Sequence, residues 1–131
     1  MNFFIQMIPP TATAQEKQVH IVHGRPVFYD PPKVKKARSE ISEHLLRVKP
    51  EDHIAFTTAL ELRTIWLFPK GKHKNGEWKT TRPDTDNLQK MLKDCMTQTG
   101  YWKDDALVVR EIVEKRWSDE PTGIYIEINE L

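Results

Sequence analysis

The chain has 131 residues, 38% of them apolar and 30% charged, which suits one soluble globular unit with a modest core. Twenty Lys and Arg against nineteen Asp and Glu leave a net charge of +1, so whole-chain charge does not announce a nucleic-acid binder. The lone cysteine, Cys95, excludes an internal disulfide and a thiolate zinc cage, and favours a reducing compartment.

Residues 2–8 read as a short strand. This apolar run stops at Pro9-Pro10, too short for a signal peptide or a membrane span, so the chain is expected to be cytoplasmic. Residues 18–22 and 25–29 alternate around His23-Gly24 as a hairpin. Pro31-Pro32 opens a helix whose stripe is Val34, Ala37, Ile41 and Leu45, and Pro50 ends it. Residues 54–68 put Ile54, Phe56, Leu60, Leu62, Trp66 and Phe68 on one parity, which predicts a long central strand. A basic loop covers 69–82, and a second helix, with Leu88, Met91, Leu92 and Cys95 as its stripe, runs from about 85 to 98. Two strands, 106–117 and 122–129, complete a β-α-β-α-β-β order. The fold class is α+β: a small mixed sheet, two main helices and an extra hairpin near the start.

The chemistry concentrates in Arg82-Pro83-Asp84-Thr85-Asp86-Asn87-Leu88-Gln89-Lys90 and in Trp102-Lys103-Asp104-Asp105. Asp86 and Lys90 lie one turn apart on the polar face of the second helix, and Asp84 converges with Asp86 only if the backbone is still extended there. Asp104-Asp105, in the connection to the next strand, supply the other half of the expected site. Converging carboxylates repel and raise each other's pKa unless a cation sits between them, and Mg²⁺ suits carboxylate oxygens, waters and a phosphate. Such an ion activates a water for in-line attack on a phosphodiester, with Lys90 facing a phosphate oxygen. A plainer reading stands beside this one: Asp84 as a helix cap, Asp86 and Lys90 as an i,i+4 pair, and Asp104-Asp105 as a turn. Lys70, Lys72, Lys74, Lys79 and Arg82 make the basic loop either a solvated loop or a phosphodiester track. Trp78, inside that loop, is the tryptophan placed to stack on a base, whereas Trp66, Trp102 and Trp117 read as core or interface. Cys95 reads as a packed core thiol.

The run Asp84-Thr85-Asp86-Asn87-Leu88-Gln89-Lys90, continued by Gly100-Tyr101-Trp102-Lys103-Asp104-Asp105, resembles the signature of the RusA family of Holliday-junction resolvases of bacteria, prophages and phages. Pro9-Pro10-Thr11, Gln15-Glu16-Lys17 and Gly24-Arg25-Pro26-Val27-Phe28-Tyr29 resemble the family's opening segment. The resemblance implies one RusA-like endonuclease domain over 1–131, a hydrolase that dimerises and resolves four-way DNA junctions by paired symmetric nicks in recombination and repair. It implies Mg²⁺ as cofactor, with Mn²⁺ as a substitute. Carried over by position, the catalytic and metal-binding acids are Asp84, Asp86 and Asp105, the catalytic lysine is Lys90, and Asp104 is the runner-up third acid. Family members often carry an arginine-rich stretch near the N-terminus. Here the region reads Thr13-Ala14-Gln15-Glu16-Lys17-Gln18-Val19, whose one basic residue, Lys17, joins the expected DNA contacts. Two rival readings remain open from the residues alone: a non-catalytic branched-DNA-binding protein, and a general metal nuclease acting on duplex or single strands.

Overall fold

The computed structural model describes residues 1–13, 18–29 and 31–131. The elements, in chain order, are β1 (Asn2–Gln6), β2 (Gln18–Val22), β3 (Arg25–Tyr29), α1 (Pro32–Val48), β4 (Leu60–Pro69), α2 (Thr85–Gln98), a 3₁₀ turn (Asp105–Leu107), β5 (Val108–Ser118) and β6 (Gly123–Glu130). Among the described residues the main sheet has the order β1-β6-β4-β5, and β2 and β3 form a separate hairpin. Both residues of the hairpin turn, His23 at φ 50° and Gly24 at φ 75°, are left-handed, the conformation that matches the twist of two-residue hairpins. The α+β class and the element order agree with the sequence reading.

One strand differs. Residues 54–59 do not extend β4, which begins at Leu60. Ile54 is 85% exposed despite its parity with the core residues. The segment is drawn aside at Phe56, which bridges to Trp102 through Phe56 N–H to the Tyr101 carbonyl and Lys103 N–H to the Phe56 carbonyl, each 3.0 Å. Parity sees neighbours along the chain and cannot see this distant partner.

Both helices cover one face of the sheet. Pro31 and Pro32 start α1, where a missing N–H costs nothing, and the Pro31 carbonyl accepts from Val34 and Lys35. Val34, Ala37, Ile41 and Leu45 of α1 meet Leu88, Met91, Leu92, Cys95 and Met96 of α2 over Leu60, Leu62, Trp66 and Phe68 of β4 and Ile124, Ile126 and Ile128 of β6. Each large side chain buried here contributes ~1.5–3 kcal/mol. Cys95 is buried as expected, and burial pushes its thiol pKa up, so it is a packing group.

The direction of β5 decides where the candidate site residues fall. β4 and β5 run parallel, with Leu60 opposite Val108 and Pro69 opposite Ser118, while β6 is antiparallel to both β4 and β1. Parallel neighbours need a crossover, and α2 is that crossover. Its first turn therefore lies toward the C-terminal ends of β4 and β5, and its last turn toward their N-terminal ends.

Candidate active site

The head of α2 is fixed from two sides. On its buried face, the Thr64 hydroxyl donates to Gln89 Oε1 at 2.9 Å and accepts from the Trp66 indole at 3.0 Å. This network sets the rotation of the helix, so Asp86 and Lys90 face solvent. On the entry side, the Lys115 ammonium of β5 donates to the Thr81 carbonyl at 2.8 Å and the Pro83 carbonyl at 2.7 Å. These charge-assisted bonds hold the segment that delivers Asp84. Farther along, Lys93 pairs with Glu111 of β5 at 3.1 Å, tying the middle of α2 to the same strand.

Asp84 is the N-cap of α2, yet its side chain makes no capping hydrogen bond, and its backbone is extended at φ −72° and ψ 151°. That is the geometry that convergence with Asp86 requires. Both carboxylates are exposed, and neither has an ion pair or side-chain hydrogen bond among the described residues. Two unpartnered acids sit where the helix N-terminus favours negative charge. Lys90, one turn beyond Asp86, makes only a 3.5 Å contact with Asp94, which is held more closely by Arg38 at 3.2 Å. The Lys90 side chain is 65% exposed, so this pair binds it weakly.

Asp104 and Asp105 have separate circumstances. Asp104 Oδ1 accepts from Ala106 N–H at 2.8 Å and caps the 3₁₀ turn. Asp105 is half-buried, with no side-chain partner among the described residues. Their loop is anchored at the tail of α2, where the Trp102 indole donates to Thr97 Oγ1 at 2.7 Å.

Asp84, Asp86 and Lys90 are thus gathered at the head of α2, and Asp105 lies at its tail. Fourteen helical residues separate the two ends by about 21 Å. β5 gives the same answer, because Lys115 marks one end and Val108 the other, about 23 Å away at strand rise. Among the described residues, no group of three or more His, Cys, Asp or Glu could hold a metal ion.

The basic loop divides likewise. Lys72, Lys74 and Arg82 are exposed and Lys70 is half-buried. Lys79 is only 7% exposed, with its ammonium 4.3 Å from the Trp117 ring centre and 5.0 Å from that of Phe68, and it donates to Thr81 Oγ1 at 2.6 Å. It is a packing cation, corrected from the expected phosphate contact because its charge is turned inward. Burial first, and the nearby Lys115 second, push its pKa down. Lys17 lies outside the described residues. Trp66 and Trp102 are in the core, whereas Trp78 is 56% exposed with Arg116 3.9 Å over one face. Sequence reading missed Lys115 and Glu111. Their shared parity on β5 was readable, but not that this strand flanks α2.

The sequence pattern described as Endodeoxyribonuclease RusA matches residues 7–129. The chain belongs to the RusA family of endodeoxyribonucleases. A similar protein of Lactococcus phage r1t, the "Crossover junction endodeoxyribonuclease rusA", is 34% identical over 131 residues, covering 99% of this chain and 98% of the phage protein. The "Uncharacterized protein YqaN" of Bacillus subtilis (strain 168) is 29% identical over 111 residues, 77% of this chain and 78% of that protein. Among the described residues, no helix is long and apolar enough to cross a membrane.

Proposed function

We propose that this RusA-family member is a magnesium-dependent, structure-selective endodeoxyribonuclease that resolves four-way DNA junctions by paired symmetric nicks. It acts as a homodimer in the cytoplasm, in recombination and repair. The observation that carries the reading is the pair of unpartnered carboxylates, Asp84 and Asp86, held beside Lys90 at the head of α2 within the stretch that resembles the family signature. Asp104 and Asp94, by contrast, are engaged by a cap and by an ion pair.

The donor set fits magnesium, which is held by one or two carboxylates with waters and substrate phosphate in place of an all-protein cage. Asp84 and Asp86 would hold the ion, and Asp105 is the third acid of the resemblance. Once bound, magnesium supplies Lewis acidity toward a phosphoryl oxygen and an activated water for in-line attack. Lys90 leaves its weak contact with Asp94 and places its charge on a phosphate oxygen as negative charge develops. Lys115 keeps Asp84 in its extended conformation throughout. Lys70, Lys72, Lys74 and Arg82 supply a positive track for the DNA backbone, with Lys17 as a further contact. A homodimer suits the substrate, because a two-fold junction presents two equivalent strands to two equivalent sites.

The test is nicking of an end-labelled four-way junction and a matched linear duplex, with Mg²⁺, with EDTA, and with Asp86→Asn. Paired nicks on the junction alone, lost with EDTA and in the variant, are the expected result. Equal cutting of the duplex would make this a general nuclease. Tight junction binding without Mg²⁺-dependent product would make it a binding protein.

A further inference from the structure

The basic loop between β4 and α2 carries an aromatic ring that the site described above does not use. Trp78 is 56% exposed, whereas Trp66 and Trp102 are buried, and Trp117 is covered by His73, stacked at 4.1 Å, and by the Lys79 ammonium. An indole left in water forfeits the burial that the other three obtain. Its position is nevertheless fixed. The Trp78 backbone pairs with Arg116 as an antiparallel bridge. Before it, Gly76 N–H donates to the Trp117 carbonyl at 2.8 Å and Trp117 N–H to the Glu77 carbonyl at 2.9 Å; after it, Lys79 N–H donates to the Lys115 carbonyl at 3.0 Å.

One face of the indole is backed by the Arg116 guanidinium, 3.9 Å from the ring centre. Arg116 is itself clamped: Nη2 donates to Glu114 Oε1 at 2.9 Å and Nη1 to the Gly76 carbonyl at 3.4 Å. The opposite face has no ring or cation partner among the described residues. The ring is thus preordered, with a cation behind it and an open face in front.

We propose that Trp78 is a stacking platform for a nucleobase whose face is bared at the branch point of the DNA. This rests on the reading given above and deepens it, by giving structure selectivity a residue. In continuous duplex the next pair covers every base face. A branch point interrupts the stack, and the bared face meets a ring that loses little freedom on binding it. Lys72 and Lys74 precede the ring and Arg82 follows it, all exposed, so phosphates on both sides of the stacked base meet positive charge. The platform is also tied to the candidate acids. Lys115, next to Arg116, holds the Thr81 and Pro83 carbonyls, and the chain from Trp78 to Asp84 spans at most about 22 Å, roughly six nucleotides of strand.

The test reads binding without cleavage, in EDTA. Tryptophan emission is followed as a single-stranded oligothymidylate, a linear duplex or a four-way junction is added, and affinity is read separately from the anisotropy of a labelled strand. Single strand and junction are expected to quench the native protein, and duplex is not. Trp78→Phe is expected to remove the quenching and to keep affinity within about threefold, because a phenyl ring still stacks. Trp78→Ala is expected to bind single strand and junction ~10-fold more weakly, the loss of one stacked base, and duplex within about twofold of native. Equal loss on all three DNAs, or loss on none, would overturn the platform, as would quenching that survives Trp78→Phe. The nuclease reading has its own readout. Selective loss in Trp78→Ala, with no Mg²⁺-dependent nicking by the native protein, would remove that reading and leave the platform standing.

Discussion

Asp104 and Asp105 are adjacent in sequence, and their substitution is expected to separate stability from catalysis. Asp104→Ala removes the acceptor that holds Ala106 N–H at 2.8 Å. Loss of such a cap costs ~1 kcal/mol. For 131 residues the unfolding entropy is about 0.28 kcal/mol/K, so the melting temperature should fall by about 3–4 °C. Junction cleavage should stay within about threefold of native. Asp105→Asn breaks no contact, because that carboxylate has no partner among the described residues. It preserves side-chain volume, and its stability change should lie within ~0.5 kcal/mol, under about 2 °C. Cleavage should nevertheless fall by more than ~100-fold, beyond the 10–100-fold typical of groups that only support a metal ligand. The assays are thermal unfolding by circular dichroism and timed nicking of an end-labelled junction in Mg²⁺. If Asp104→Ala abolished nicking and Asp105→Asn cut normally, the assignment of the third acid would be reversed. If both variants lost stability equally and kept activity, the loop would be no more than a capped turn.

Two further outcomes follow from the packing. A Cβ at Gly123, where φ is +150°, would meet the Ile5 carbonyl oxygen at 2.0 Å and Phe4 Cζ at 2.8 Å. Gly123→Ala must therefore push β1 from β6, exposing part of Ile5 and Phe3, and should lower the melting temperature by at least about 10 °C; a loss under 3 °C would show that the strand gives way easily. Lys79→Met should leave junction affinity within twofold, because the ammonium faces Trp117 and Phe68 and not the DNA. The folded-state pKa of Lys79 is below its reference value of 10.5, so its desolvation penalty is fully present below the folded pKa and is relieved as pH rises toward 10.5. The native protein should accordingly gain stability relative to Lys79→Met between pH 7 and pH 10, and a difference in melting temperature that is flat over this range would contradict the burial argument.

The readable parts of the fold were those whose signal is local. Pro31-Pro32 and Pro50 bracketed α1, the stripe Leu88, Met91, Leu92 and Cys95 marked the buried face of α2, and Ile124, Ile126 and Ile128 marked that of β6. Strand β4 was overextended because Ile54 and Phe56 continue its parity, while Phe56 is in fact held by Trp102, 46 positions away. The same limit governed the site. Residue types and helical spacing singled out Asp84, Asp86 and Lys90 as candidates, and their mutual placement depends only on neighbours within two turns of helix. They could not place Asp105, because its position depends on strand direction.

Strand direction has a definite chemical consequence here. Had β5 run antiparallel to β4, the tail of α2 could have turned back and left Asp105 free to approach Asp86. A parallel β5 requires the chain to return the full length of the sheet, and α2 is the element that makes that return. Two carboxylates sharing one ion stand only a few ångströms apart, since each oxygen lies about 2.0–2.1 Å from magnesium. A gap of about 21 Å cannot be closed by rotamers or by a shift of the loop. The rigidity that Lys115, Lys93 and Trp102 give to α2 therefore keeps the candidate acids of one chain apart, Asp84 and Asp86 at its head and Asp105 at its tail.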